Sequence, residues 1–222
     1  MVWDMYKVCI FDLDGTLTDT LESLTVSVNG TLEEMGLSPI SSQQCRAFVG
    51  NGARVLMQKA LEASGDIRME RIEEAMQIYG RIFDQHCTYH VVPYEGISEM
   101  LHDLKRMGVR LAVLSNKPHR QTVSVVEEIF GREIFELVQG QIEGVPRKPD
   151  PTAVLQILDR FDVRPEEAVY VGDSEVDVMT GLSAKMMTIG VTWGFRSQKI
   201  LEEAGAVYTA GHPQEIVKLI KD

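Results

Sequence analysis

Cysteine, basic charge and long apolar runs are all scarce in this 222-residue chain. Cys9, Cys45 and Cys87 are odd in number, far apart and without a C-x-x-C spacing. They read as plain thiols in a reducing compartment, not as a disulfide framework. Lys and Arg number 22 against 33 Asp and Glu, a formal net charge of −11. That balance argues against nucleic-acid or anionic-membrane partners. No apolar run approaches the roughly 20 residues a membrane span needs. The N-terminus shows no basic stretch followed by a cleavable apolar segment, so a cytoplasmic protein, monomer or homodimer, is expected. An acidic protein can still take an anionic ligand where a metal and a few lysines reverse the local sign.

What is present is ordinary in bulk, with 44% hydrophobic and 25% charged residues, and informative in detail. The length suffices for one sizeable core with a small accessory unit. Val8-Cys9-Ile10-Phe11 reads as a buried strand, and Asp12-Leu13-Asp14-Gly15-Thr16-Leu17 follows it directly. Two carboxylates thus stand at the strand's C-terminal end, where open α/β sheets bind ligands. Acids this close can hold a divalent cation, and one can attack phosphorus. Alone, the string also reads as an acidic turn.

From residue 20 to about 87 the pattern is helical. Leu21, Leu24, Val28, Leu32 and Met35 share one face, and Gly36 and Pro39 stop the helix. Further helices are expected at 42–64, interrupted by Gly50-Asn51-Gly52, and at 69–87, with no convincing strand. After residue 92, helices and strands alternate. Helices are expected at 97–107, 121–130, 151–160, 176–184, 197–204 and 213–221. Strands are expected at 110–114, 135–138, 168–171, 187–191 and 207–208. This alternation implies an α/β fold, a doubly wound (Rossmann-like) parallel sheet core with an inserted all-helical cap domain. The expected division is a core of 1–17 and 90–222, with a cap of 18–89 able to open and close over the Asp12 turn.

Three more strand ends carry polar clusters. Ser115-Asn116-Lys117-Pro118 offers hydrogen-bond donors for phosphate oxygens. The loop 144–151 holds Lys148 among prolines, which suits a cation fixed against an anion. Gly172-Asp173-Ser174-Glu175-Val176-Asp177 places a second pair of acids on a turn that opens a helix. Each cluster alone is an ordinary cap, loop or turn. Their conjunction, in order and at four strand ends, is what phosphoryl transfer requires.

With these motifs in view, the chain resembles the haloacid dehalogenase superfamily of phosphatases over essentially its whole length. The resemblance implies Asp12 as nucleophile forming an aspartyl-phosphate, and Asp14 as general acid and then base. It implies Ser115 and Lys148 on the phosphoryl oxygens. Asp12, the Asp14 main-chain carbonyl and Asp173 would hold Mg²⁺, with Asp177 and Ser174 supporting Lys148 or metal-bound water. Dehalogenases of this superfamily lack an acid at the position of Asp14, so its presence implies phosphorus chemistry.

For the substrate, the strings at 48–53, 93–96, 114–118 and 191–194 resemble phosphoglycolate phosphatases. The expected ligand is a small phosphorylated metabolite, with 2-phosphoglycolate leading. Thr16, Asn116, Gly50, Asn51, Gly52 and Arg54 are the candidate contacts. Gly50 and Gly52 would let backbone approach a ligand, or simply join two helices. Arg54, Lys117, His119 and Arg120 could meet a substrate carboxylate, although lone charges are ordinarily solvated. A phosphosugar mutase and an inorganic pyrophosphatase are the alternatives. A non-catalytic binding protein fits poorly, because no catalytic acid is missing. One departure from the family pattern is Lys185, standing where a helix-terminating glycine is common.

Overall fold

The computed structural model describes residues 6–68 and 70–221; Met69 and the first five residues, which the expected helix 69–87 and core unit include, lie outside them. In the sheet, β1 (Val8–Phe11) lies between β4 (Arg110–Pro118) and β6 (Ala168–Gly172). The full order is β5 (Leu137–Gln141), β4, β1, β6, β7 (Met187–Val191) and β8 (Tyr208–Ala210), all parallel. Strand order reverses beside β1, and a crevice at the strands' carboxyl ends follows from that reversal. The register pairs Phe11 with both Val113 and Val171, so the residues after each strand emerge side by side.

Every residue of β1 is fully buried, because helices cover both faces. Val8 and Ile10 join Ala112, Leu114 and Tyr170 beneath α7 (Thr152–Phe161). Cys9 and Phe11 face the other way, toward α5 (Ile97–Arg106), α6 (His119–Phe130) and α10 (Pro213–Lys221). Each buried Leu, Ile, Val or Phe contributes roughly 1.5–3 kcal/mol. α8 (Glu175–Ser183) and α9 (Gln198–Glu203) complete the alternation.

Between β2 (Thr18–Asp19) and β3 (Val92–Pro93) the chain makes α1 (Leu21–Glu34), α2 (Ser42–Phe48), α3 (Ala53–Ala63) and α4 (Ile72–His86). A capping box, Ser41 with Gln44, starts α2. The expected break at 50–52 separates α2 from α3, with Gly50 at φ 123° and Gly52 at φ 84°. β2 and β3 pair antiparallel, so entry and exit of the helical segment form a two-stranded stem that sequence reading did not anticipate. Its strands are two residues long, too short to show periodicity. The same apolar cluster runs from Leu13 and Leu17 into Leu24, Leu56, Tyr79 and Phe83 of the segment.

Other boundaries shift. β4 continues through Ser115-Asn116-Lys117 to Pro118, past a register irregularity after Leu114. β5 starts at Leu137, not 135, and the buried Phe135 before it packs edge-to-face on Phe130. β8 starts at Tyr208, with Val207 left exposed. Lys185 does occupy the left-handed region, φ 60°, and closes α8 by donating its N–H to the Leu182 carbonyl at 3.0 Å. No helix among the described residues is long and apolar enough to cross a membrane.

Candidate active site

The buried apolar run of β1 ends abruptly at Asp12, whose N–H still bonds the Val171 carbonyl at 2.9 Å. Beyond it the chain wraps around the Leu13 carbonyl, which accepts from Leu17 N and Thr18 N at 3.0 and 3.1 Å. Gly15 takes φ 86° in this turn, and a side chain there would strike the Asp173 carboxylate. The turn therefore packs directly on the end of β6.

Lys148 is the hub. It is 4% exposed, with Nζ 2.6 Å from Asp177 Oδ1 and 3.0 Å from Asp12 Oδ1. Burial opposes its charge, but Asp12 and Asp177 outweigh that and hold its pKa well above the usual lysine value. Asp177 uses its other oxygen to accept from Ser174 N and Oγ, at 3.1 and 2.5 Å, while Ser174 Oγ caps α8. With both oxygens committed, Asp177 orients the lysine. Asn116 fixes the lysine's backbone: its Oδ1 accepts from Lys148 N at 3.0 Å, and Nδ2 donates to the Lys148 and Gly50 carbonyls, each at 3.1 Å. Ser115 is buried beside it.

Asp173 is fully enclosed. Its Oδ2 accepts from Phe195 N at 2.6 Å and its Oδ1 from Thr16 Oγ1 at 3.4 Å. Burial, then the charges of Asp177 and Asp12, push its pKa well up, against the Phe195 bond. Asp12 is raised to about 7 by burial and by Asp177, against the pull of Lys148. Its ion pair with Lys148 lacks hydrogen-bond alignment, and Asp12 Oδ1 is left without a hydrogen-bond partner. Single oxygens of Asp12, Asp173 and Asp177 lie within 4.8 Å of one another. Four carboxylates, those of Asp12, Asp14, Asp173 and Asp177, face two ammonium groups, those of Lys117 and Lys148. An all-oxygen, charge-deficient and incompletely bonded cluster fits a hard divalent cation such as Mg²⁺.

A cavity of about 510 Å³, counting its open mouth, connects this cluster with the helical segment. Asp12, Asp14, Ser115, Asn116, Asp173, Gly50 and Gly52 line it. Thr16, Asn51, Arg54, Lys148, Ser174 and Asp177 do not. Thr16 is spent on Asp173, and Arg54 turns outward to form a two-bonded pair with Glu73 at 2.7 and 2.8 Å. Arg120 and His119 also point elsewhere, to Asp84 and to the Gly140 N–H. Lys117 is the correction among the lone charges: far from solvated, it is 5% exposed and lines the cavity. Its Nζ sits 2.7 Å from Asp14 Oδ1 and 4.9 Å from the Phe83 ring centre. It lies in the irregular end of β4, and the ion pair with Asp14 that goes with its burial leaves no local mark in the sequence. Phe195 and Arg196 carried no signal either, since they follow β7 without a polar motif.

The model of the haloacid dehalogenase-like hydrolase family matches residues 9–191, and the chain belongs to that family. Within it, the chain is similar to phosphatases. Phosphoglycolate phosphatase 1 of Pseudomonas aeruginosa is 34% identical over 203 residues, 89% of this chain and 74% of the relative. Phosphoglycolate phosphatase of Psychrobacter arcticus is 32% identical over 194 residues, 85% and 84% of the two chains. A crystal structure from Lactobacillus delbrueckii subsp. bulgaricus, of a protein provisionally assigned as a phosphoglycolate phosphatase, superposes with a TM-score of 0.89. It is 28% identical, over 97% of this chain and 98% of that one.

Proposed function

We propose that this enzyme hydrolyses a small organic phosphate monoester, 2-phosphoglycolate first among them, through a covalent intermediate on Asp12. The observation that carries the reading is the Asp12–Lys148–Asp177 chain of contacts, completed by Ser115 and Asp173 at neighbouring strand ends. The substrate class rests on the names of the relatives and on the shape of the cavity.

In this reading Asp12 attacks phosphorus, forming an Asp12–phosphoryl bond as the bond to the leaving oxygen breaks. Asp14 gives that oxygen a proton, then takes one from the water that cleaves the aspartyl-phosphate. Ser115 and Lys148 hold the equatorial oxygens, whose dispersed charge needs positioned donors. Mg²⁺, bound by Asp12, the Asp14 main-chain carbonyl and Asp173, would supply the remaining positive charge. Asn116 fixes Lys148, and Asp177 keeps it protonated and aimed. Residues 18–89 act as a cap in the same reading. Three buried free cysteines agree with a cytoplasmic setting.

The test is phosphate release from 2-phosphoglycolate, pyrophosphate and a panel of sugar phosphates, with Mg²⁺ or EDTA, beside Asp12→Asn. Metal-dependent release favouring phosphoglycolate, abolished in Asp12→Asn with its fold intact, is expected. Release spread over the panel removes the substrate assignment. A sugar phosphate isomerised without release replaces hydrolysis with mutase chemistry.

A further inference from the structure

Two arginines fasten the helical segment to the sheet unit from opposite sides, and neither belongs to the strand-end clusters. Arg46 of α2 donates through Nε to the Phe195 carbonyl at 3.3 Å and through Nη2 to the Gly194 carbonyl. Arg196, in the loop after β7, reaches back. Its Nη1 donates to the Arg46 carbonyl at 3.1 Å and its Nη2 to the Val49 carbonyl at 2.7 Å. Glu175, at the start of α8, holds the Nε of Arg196 at 3.0 Å. Each guanidinium therefore grips backbone on the other unit, and each arginine's own stretch of chain is gripped in return.

The loop between them is also the loop that holds Asp173. The Gly194 carbonyl and the Phe195 N–H belong to one peptide plane, and in a trans peptide they point in opposite directions. On one side the carbonyl accepts from Arg46; on the other the N–H donates to Asp173 Oδ2 at 2.6 Å. A cation on the carbonyl polarises the peptide and strengthens the N–H as a donor. The fit leaves no slack, because a side chain at Gly194 would collide with Asp173 and with the Gly15 carbonyl.

We propose that Arg46 and Arg196 form a reciprocal clasp that couples closure of the helical segment to the aim of Asp173, through the Gly194–Phe195 peptide. Both are positioning residues. With the segment closed, the peptide is pinned and Asp173 is oriented toward Asp12. With it open, Asp173 Oδ2 loses its fixed donor, and the cation site is assembled only when the cavity is covered. The inference rests on the reading of Asp173 as a metal ligand.

The test uses the full chain without substrate. Mg²⁺ binding by titration calorimetry and amide hydrogen exchange over 46–56 and 192–197 are measured for wild type, Arg46→Ala, Arg196→Ala and the double variant. Arg46→Lys is added as a fold-preserving case that keeps the charge but loses the two-pronged donor. Each single change is expected to weaken Mg²⁺ about 10-fold, the lower end for partners that orient metal ligands. Exchange should quicken in both windows, and the double variant should lose no more than the worse single one. Unchanged Mg²⁺ affinity in the variants, or losses that simply add, overturns the clasp and leaves the metal reading standing. A wild type that binds no Mg²⁺ overturns the metal reading and the inference with it.

Discussion

On the sheet side of the cavity Asp12, Asp14, Ser115, Lys117 and Asp173 stand at strand ends, each held by hydrogen bonds or ion pairs. On the helical side the lining is Leu24, Val49, Leu56, Tyr79 and Phe83, with backbone at Gly50 and Gly52. The sheet side concentrates buried charge, costly without exact pairing, and every group in it depends on another. The helical side offers shape and exclusion of water, and none of the residues it contributes to the lining is charged. A phosphoryl group needs fixed positive charge at one point, whereas the remainder of a small substrate is selected by what fits and what is kept dry.

The largest effect expected from breaking this contrast is at Lys148. In Lys148→Met the side chain keeps its bulk, but Asp12 and Asp177 are left buried without their shared cation. Removing one member of a buried ion pair costs about 3–5 kcal/mol. In the proposed reading the substitution also removes a positioned donor to the phosphoryl group, a loss of about 10²–10³ in turnover. Thermal unfolding and kcat/KM on one preparation check both, and a variant within 2 °C and tenfold of wild type would sink the hub assignment (roughly the shift from 0.5 kcal/mol at this size).

The same contrast explains what the sequence made legible. Strand-end chemistry leaves a local mark: an apolar run, then Asp12-x-Asp14, Ser115-Asn116 or Gly172-Asp173, because a buried strand must end before a charge can appear. Parallel order followed from the alternation of elements. Lys185 in the left-handed region could be flagged from a missing glycine alone. Lys117 was obscured because its burial depends on Asp14, 103 positions away. The Arg46–Arg196 clasp joins residues about 150 apart through main-chain carbonyls, and carbonyls have no residue type to read. The stem of β2 and β3 escaped for a simpler reason, its two-residue strands.

A second, smaller effect concerns pH and sharpens the charge deficit of the sheet side. Asp12 titrates at about 7 in the folded chain, against roughly 3.9 when unfolded. Between those values the folded state holds the extra proton. Its contribution to stability is therefore full below about pH 4 and lost as pH rises through 7. Asp173 is shifted in the same direction. In EDTA, the melting temperature of wild type is expected to fall relative to that of Asp12→Asn between pH 5.5 and 8. The stabilisation by added Mg²⁺ should grow over the same interval, because the ion replaces the proton. A difference between the two proteins that ignores pH would remove the buried-acid account.

The smallest effect belongs to the helical side, at the one charged residue there that its sequence position offered as a substrate contact. Arg54 is bound to Glu73, and the two side chains are 39% and 73% exposed. Exposed pairs of this kind contribute about 0–1 kcal/mol. Arg54→Ala is expected to change stability by about 0.5 kcal/mol or less and KM for the preferred substrate by less than about twofold, since Ala53 and Leu56, its neighbours on α3, line the cavity while it turns away. A tenfold rise in KM with unchanged kcat would mean that Arg54 leaves Glu73 and swings into the cavity when substrate arrives. Recognition of the leaving group would then pass from shape to charge, and the division of labour between the two walls would no longer hold.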